Sequence, residues 1–166
     1  MSGLSTGTLY SFRYRVKNVQ GWSPFSTELS AVAANPPSQP ASVTTTNDGS
    51  SVKISWSAPY HGGDSITAFT VLISQSDGII FTADSTNCDG GSTSVLSNLY
   101  CLVPMTTLKA SPYFLAEGST VIATVKATNR AGDSATSSPN SVGAYIQGLP
   151  SAPPTAPSRG SQTDTD

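Results

Sequence analysis

The sequence predicts an all-β fold, a β-sandwich of about seven strands preceded by part of a second unit. Three observations predict it. Apolar residues alternate with polar ones in short runs bounded by Gly, Asn, Asp and Pro, the period-two pattern of half-buried strands. One stretch repeats: Gly7, Asn18, Gly21, Ser23, Ser26 and Ser30 recur 111 positions on as Gly118, Asn129, Gly132, Ser134, Ser137 and Ser141. No amphipathic pattern of useful helical length interrupts the strands.

Taken in chain order, Tyr10, Phe12, Tyr14 and Val16 come first, alternating with Ser11, Arg13 and Arg15. Their counterparts are Val121, Ala123, Val125 and Ala127. Residues 1–35 therefore read as the closing hairpin of an incomplete unit, and residues 36–147 as a complete one. A period this long means an array of whole domains rather than a solenoid of short repeats. Prolines mark the boundaries at Pro36-Pro37-Ser38-Gln39-Pro40 and at Leu149-Pro150-Ser151-Ala152-Pro153-Pro154-Thr155-Ala156-Pro157. Fixed φ angles stiffen such segments into short spacers. Residues 148–166 read as a linker or disordered tail. Within the complete unit, Val52, Ile54 and Trp56 alternate with Lys53, Ser55 and Ser57, and Phe69, Val71 and Ile73 alternate with Thr70, Leu72 and Ser74. Trp56, Val71 and Val125 are placed in the core. Turn signals stand at Asn47-Asp48-Gly49, Gly62-Gly63-Asp64 and Ser76-Asp77-Gly78. Further strands are predicted near 79–84, 93–103, 120–128 and 134–146.

Composition narrows the function classes. Of 166 residues only 11% are charged, under half the roughly 25% usual for soluble domains. Ser and Thr number 48, so hydroxyls rather than ions supply the polarity. With 8 Lys and Arg against 10 Asp and Glu, no basic patch is large enough to neutralise a nucleic-acid backbone. No apolar run approaches the roughly 18 residues of a membrane span, so no direct membrane insertion is expected. The start, Met1 to Ser5, has neither the basic nor the apolar region of a signal peptide.

Several of these residues together resemble a fibronectin type III module. Ile54-Ser55-Trp56-Ser57-Ala58-Pro59, followed by Gly62-Gly63-Asp64-Ser65-Ile66-Thr67-Ala68-Phe69-Thr70-Val71, is similar to strand B, the B–C loop and strand C of that family. The resemblance implies an immunoglobulin-like sandwich, with Trp56 as its buried strand-B tryptophan. Leu4 to Val16 resembles the E–F corner and strand F, with Tyr10 as the corner tyrosine. Asn18-Val19-Gln20-Gly21 and Asn129-Arg130-Ala131-Gly132 match the F–G turn. Two departures stand out. Val121 replaces the corner tyrosine in the complete unit, and the segment Met105 to Gly118 is longer than the usual connection. Its Pro112-Tyr113-Phe114-Leu115 is expected to plug space left by Ala123 and Ala127. The second departure is a cysteine pair that ordinary modules of the family lack.

Candidate chemistry is sparse. Cys88 and Cys101, 13 positions apart across a Gly- and Ser-rich turn, are read as a disulfide, which favours an oxidising compartment. The alternative is two buried free thiols. Two cysteines and one remote His fall short of a four-ligand zinc site. His61 lies in a turn whose Asp64 and Ser65 are only sequence neighbours, so no catalytic residues and no cofactor are assigned. Asp77, Asp84 and Asp89 lack the density of a calcium loop, and carboxylates are routine in turns. Arg13, Arg15 and Lys17 face away from Tyr10, Phe12, Tyr14 and Val16. They are read as a solvated outer face, with a sulfated glycan or acidic partner as the alternative. Arg159-Gly160-Ser161 is not an adhesion tripeptide, and no Asn-x-Ser/Thr sequon occurs.

The expected function is that of a non-catalytic structural or adhesive module of a longer tandem-repeat protein, a spacer and binding platform at the cell surface or outside the cell. The resemblance implies that its partners are other protein modules of the same or a neighbouring chain. An intracellular cytoskeletal or ciliary scaffold is the second reading. A carbohydrate-binding accessory domain is the third, with Tyr60 and Tyr100 as its only candidate exposed aromatics. The incomplete unit raises its own expectation. About 35 residues cannot form an independent core. Tyr10, Phe12 and Tyr14 are therefore expected to pair with a complementary half.

Overall fold

A computed structural model describes residues 3–148. The tail expected beyond Gly148 lies outside the described residues. The first segment forms β1 (Leu9–Phe12), β2 (Lys17–Asn18), β3 (Gly21–Trp22) and β4 (Leu29–Val32). Strands β1 and β4 pair antiparallel, with Tyr10 opposite Ala31, and β2 and β3 close the turn between them.

The rest of the chain builds a two-layer sandwich. One sheet holds β5 (Thr44–Asp48), β6 (Ser51–Ser55) and β9 (Tyr100–Pro104), in that spatial order. The other holds β7 (Ala68–Ser74), β8 (Phe81–Ala83), β10 (Ala123–Asn129) and β11 (Gly132–Asp133), ordered β11-β10-β7-β8. All pairings are antiparallel. These seven strands satisfy the all-β sandwich expectation. The alternation read from the sequence produces the layers. Val52, Ile54 and Val103 of one sheet and Ile73, Ala123 and Val125 of the other are all fully buried in one cluster. Trp56 packs on Phe69 with ring centroids 5.4 Å apart, and its indole N–H is buried without an acceptor.

Two segments depart from the predicted strands. The stretch predicted as one strand over 93–103 begins as helix α1 (Thr93–Asn98) and becomes strand only at Tyr100. Ser92 caps the helix, its Oγ accepting the Val95 N–H, and Leu99 ends it in the left-handed conformation. Cap and stop chemistry outweighed the apolar alternation there. The stretch 134–146 is not a regular strand, for a reason given below.

The long connection forms helix α2 (Met105–Lys109) and a turn, and it closes one end of the sandwich. Met105, Leu108, Tyr113 and Leu115 are buried. Removing a side chain such as Leu108 from water stabilises by about 1.5–3 kcal/mol. Phe114 does not join the expected plug: at φ 52° its side chain turns outward and is 59% exposed. Burial pushes the Tyr113 hydroxyl up to about 12, with the Asp84 carboxylate adding to the shift.

Candidate interaction surfaces

The two copies of the repeat share a seam made by serine hydroxyls. In the sandwich, the Val125 N–H donates to Ser137 Oγ (3.0 Å) while the Ser137 N–H donates to Val125 O (2.8 Å). Ala127 and Ser134 repeat the arrangement at 2.9 and 2.8 Å. In the first segment Tyr14 pairs with Ser26 and Val16 with Ser23 in the same manner. Each hydroxyl occupies the position a backbone carbonyl takes in an ordinary ladder, so the chain stays bonded without being a regular strand. This is why 134–146 departs from the expected strand.

Beyond the seam the two copies diverge by two residues. Tyr10 faces Ala31, and its counterpart Val121 donates its N–H to Ala144 O rather than to residue 142. The insertion is absorbed at a buried knot. Asn140 accepts the Ala123 N–H and donates to Thr45 Oγ1, Val121 O and Val142 O. Thr45 and Asn140 thus fasten the corner at Val121. In the first segment the Tyr10 hydroxyl does so by accepting the Ser5 N–H at 2.8 Å.

The hairpin of the first segment has two distinct faces. On one lie Tyr10, half-buried, and Phe12, Tyr14 and Val16, which are 39%, 73% and 63% exposed. On the other, Arg13 stacks on Phe25, Arg15 on both Trp22 and Phe25, and Lys17 on Trp22, at 4.2–5.5 Å from the ring centroids. Each exposed cation–π contact contributes about 0.5–1 kcal/mol. The counterpart of the Arg15–Trp22 pair is the ion pair Lys126–Asp133, whose hydrogen bond holds the Asp133 carboxyl below its usual range. Sequence reading set the cations apart as a solvated row and missed the rings. The signal was present as Trp22 and Phe25 three positions apart opposite alternating cations.

A second surface joins the segments. Asn129 donates from its amide to Asn35 O and His61 O, both at 2.8 Å, and its Oδ1 accepts the N–H groups of Ala131 and Gly132. The Asn35 N–H donates to Gly62 O, and its side chain to Thr6 Oγ1. Gly62 has no alternative here: a Cβ would lie 2.1 Å from Asn35 O. Arg130 forms a two-pronged pair with Asp64 (2.7 and 3.1 Å), and this guanidinium holds the Asp64 carboxyl below its usual range. The sequence marked Asn129 and Asp64 as turn residues. It could not show that these two turns meet.

The remaining candidates are placed as follows. Cys88 and Cys101 are bonded to each other, Cα atoms 5.2 Å apart, and both are buried. Trp56, Val71 and Val125 are 8%, 2% and 0% exposed. His61 is exposed at the joint, with Nδ1 accepting the Gly63 N–H and its ring beside Tyr60. Asp77 accepts the N–H groups of Ile80 and Ile79, which lower its pKa. Asp84 is buried, accepting from the Thr86 and Asn87 backbone and the Asn87 side chain. Asp89 accepts the Gly91 N–H. These three carboxylates serve separate turns, and no group of three ligating residues forms among the described residues. Tyr60 is 61% exposed, whereas Tyr100 is half-buried under Lys53 Nζ. Arg159-Gly160-Ser161 lies outside the described residues.

No protein-family model and no curated protein matches the sequence. Solved structures do. A crystal structure of domains A168-A170 from titin superposes with a TM-score of 0.52 at 17% identity, covering 88% of this chain and 44% of that one. The twitchin kinase region from C. elegans gives 0.47 at 18%, covering 68% and 17%. The titin kinase with its flanking domains gives 0.44 at 18%, covering 64% and 16%. The chain thus spans less than half the length of each. The first likeness establishes an immunoglobulin- or fibronectin type III-like sandwich, and the other two add nothing to that.

Proposed function

We propose that this chain is a non-catalytic segment of a tandem array that serves as spacer and binding platform. In this reading residues 1–35 close one fibronectin type III-like module, residues 36–147 form the next, and residues 148–166 lead onward. The observation that carries it is the serine seam, repeated bond for bond between Tyr14–Ser26 and Val125–Ser137. Two copies of one hydrogen-bonded device in one chain are what a duplicated module leaves behind. The joint supplies the spacer property, since Asn129 ties the last residue of one segment to the turn of the next. The likeness to consecutive titin domains supports an array. Under this reading the partners are other protein modules.

Spin labels on cysteines introduced at Thr27 and Ser94 test the spacer by dipolar distance measurement. One narrow distance is expected, broadening in Asn129→Ala. A broad distribution in the parent chain counts against it.

The disulfide supports placement at a cell surface or outside the cell. An intracellular scaffold is the competing reading, and thiol titration of the natively expressed protein separates the two. Two reactive thiols would favour the scaffold.

A further inference from the structure

Cations and carboxylates are divided unevenly along the chain. Residues 36–148 hold four cations and seven carboxylates, whereas residues 1–35 hold Arg13, Arg15 and Lys17 against Glu28 alone. Three of the four sandwich cations, Lys109, Lys126 and Arg130, lie within ion-pair distance of a carboxylate. None of the three hairpin cations does so among the described residues. Their partners are aromatic. Arg13, Phe25, Arg15, Trp22 and Lys17 alternate in one row, each cation 4.2–5.5 Å from the ring centroid it covers. Stacking steadies the cations and leaves their charge unneutralised. It takes a guanidinium by its flat face, so the N–H edge stays free to donate. All three cations are exposed. That exposure belongs to the outer surface of the sheet and is kept in the complete sandwich. There the counterparts of Arg15 and Trp22 are Lys126 and Asp133, with side chains 30% and 48% exposed. The two copies differ in what that position supplies: Asp133 neutralises Lys126, whereas Trp22 supports Arg15 without neutralising it.

We infer that this outer row is a docking surface for a linear sulfated glycan, whose sulfate groups pair with Arg13, Arg15 and Lys17. An extended chain sets alternate residues about 7 Å apart on one side, so the three charges form a line rather than a cluster. A line of charge suits an anionic polymer laid along it, and each arginine fork takes a sulfate through two N–H groups. Trp22 and Phe25 are each stacked by two cations. The row therefore offers charge and N–H donors rather than the apolar contact that the side chains of an acidic peptide would use. The excess of carboxylates in the sandwich repels the same polymer, which confines it to the hairpin. The inference goes beyond contact between modules and uses the placement outside the cell, where sulfated glycans occur. Thiol titration tests that placement separately.

The probe is a sulfated heparin hexasaccharide, titrated into the isotopically labelled full chain and followed by NMR. Saturable shifts are expected at the Arg13 and Arg15 side-chain Nε–H groups, the Lys17 amide and the Trp22 indole N–H. Affinity should fall as ionic strength rises, because the contacts are exposed and screened. Arg15→Gln should weaken binding about tenfold, the loss of one charge-assisted contact. Trp22→Asp, which places a carboxylate where the other copy has Asp133, should abolish it. If the amide spectrum of that variant shows the hairpin unfolded, Arg15→Gln alone decides. The inference is overturned by no saturable shift at millimolar saccharide, by equal affinity for the desulfated hexasaccharide, or by shifts confined to residues 36–148. Tighter binding of hexaglutamate, or undiminished binding by Arg15→Gln, overturns it as well.

Discussion

At the scale of single residues, the glycine among the described residues that leaves least room for a side chain is Gly90, whose carbonyl accepts the Phe69 N–H at the start of β7. A Cβ there would lie 1.6 Å from Phe69 O, against backbone that cannot swing aside. Gly90→Ala is expected to cost about 3 kcal/mol or more, above the usual range for overpacking, read as a shifted urea midpoint. The adjacent Cys88 is tied to Cys101, closing a loop of 13 positions between the Gly90 turn and β9. In the chain-entropy model a loop of that length stabilises by about 3 kcal/mol. Reduction without alkylation should lower stability by that order, and a midpoint unmoved by reductant would show that the bridge constrains nothing.

The element that most needs explanation is the segment after β11, bonded without being a strand. Ser137 is buried, so Ser137→Ala would strand the Val125 N–H away from water. The expected loss is about 1–3 kcal/mol. Ser26→Ala removes the same bond from Tyr14 on the open hairpin, where water replaces the hydroxyl, and should stay within about 0.5 kcal/mol. Denaturant unfolding of both variants measures the contrast directly. Equal losses would mean the seam's contribution does not depend on burial.

For the whole molecule the question is whether the two segments move together; Asp64–Arg130 lies within the sandwich, but it ties together the two turns that receive Asn35 and so makes the joint's support titratable. The folded pKa of Asp64 lies below its ordinary 3.8. Its contribution is therefore fully present above that value and is lost as pH falls through the depressed one. The distance distribution between labels at Thr27 and Ser94 is expected to broaden only below about pH 3.8. Asp64→Asn should broaden it at neutral pH and remove the acid dependence. A distribution unchanged by Asp64→Asn would show that the Asn129 bonds hold the joint without the ion pair.

The sequence carries the layers, because alternation at Val52–Trp56 and Phe69–Ile73 fixes which side chains face inward once a strand forms. It determined the repeat as well, since Ser23, Ser26, Ser134 and Ser137 keep their spacing whatever the fold. It could not tell helix from strand at Thr93–Asn98, where a serine cap seven residues before a left-handed Leu99 competes with an apolar run of either period. Nor could it show that Asn129 meets Asn35, 94 positions away, or that Trp22 and Phe25 lie beneath Arg13, Arg15 and Lys17. Local pattern is written in neighbouring residues. Contacts between distant turns exist only after the sheets have packed and brought them together, and the Asn129 joint is of that second kind.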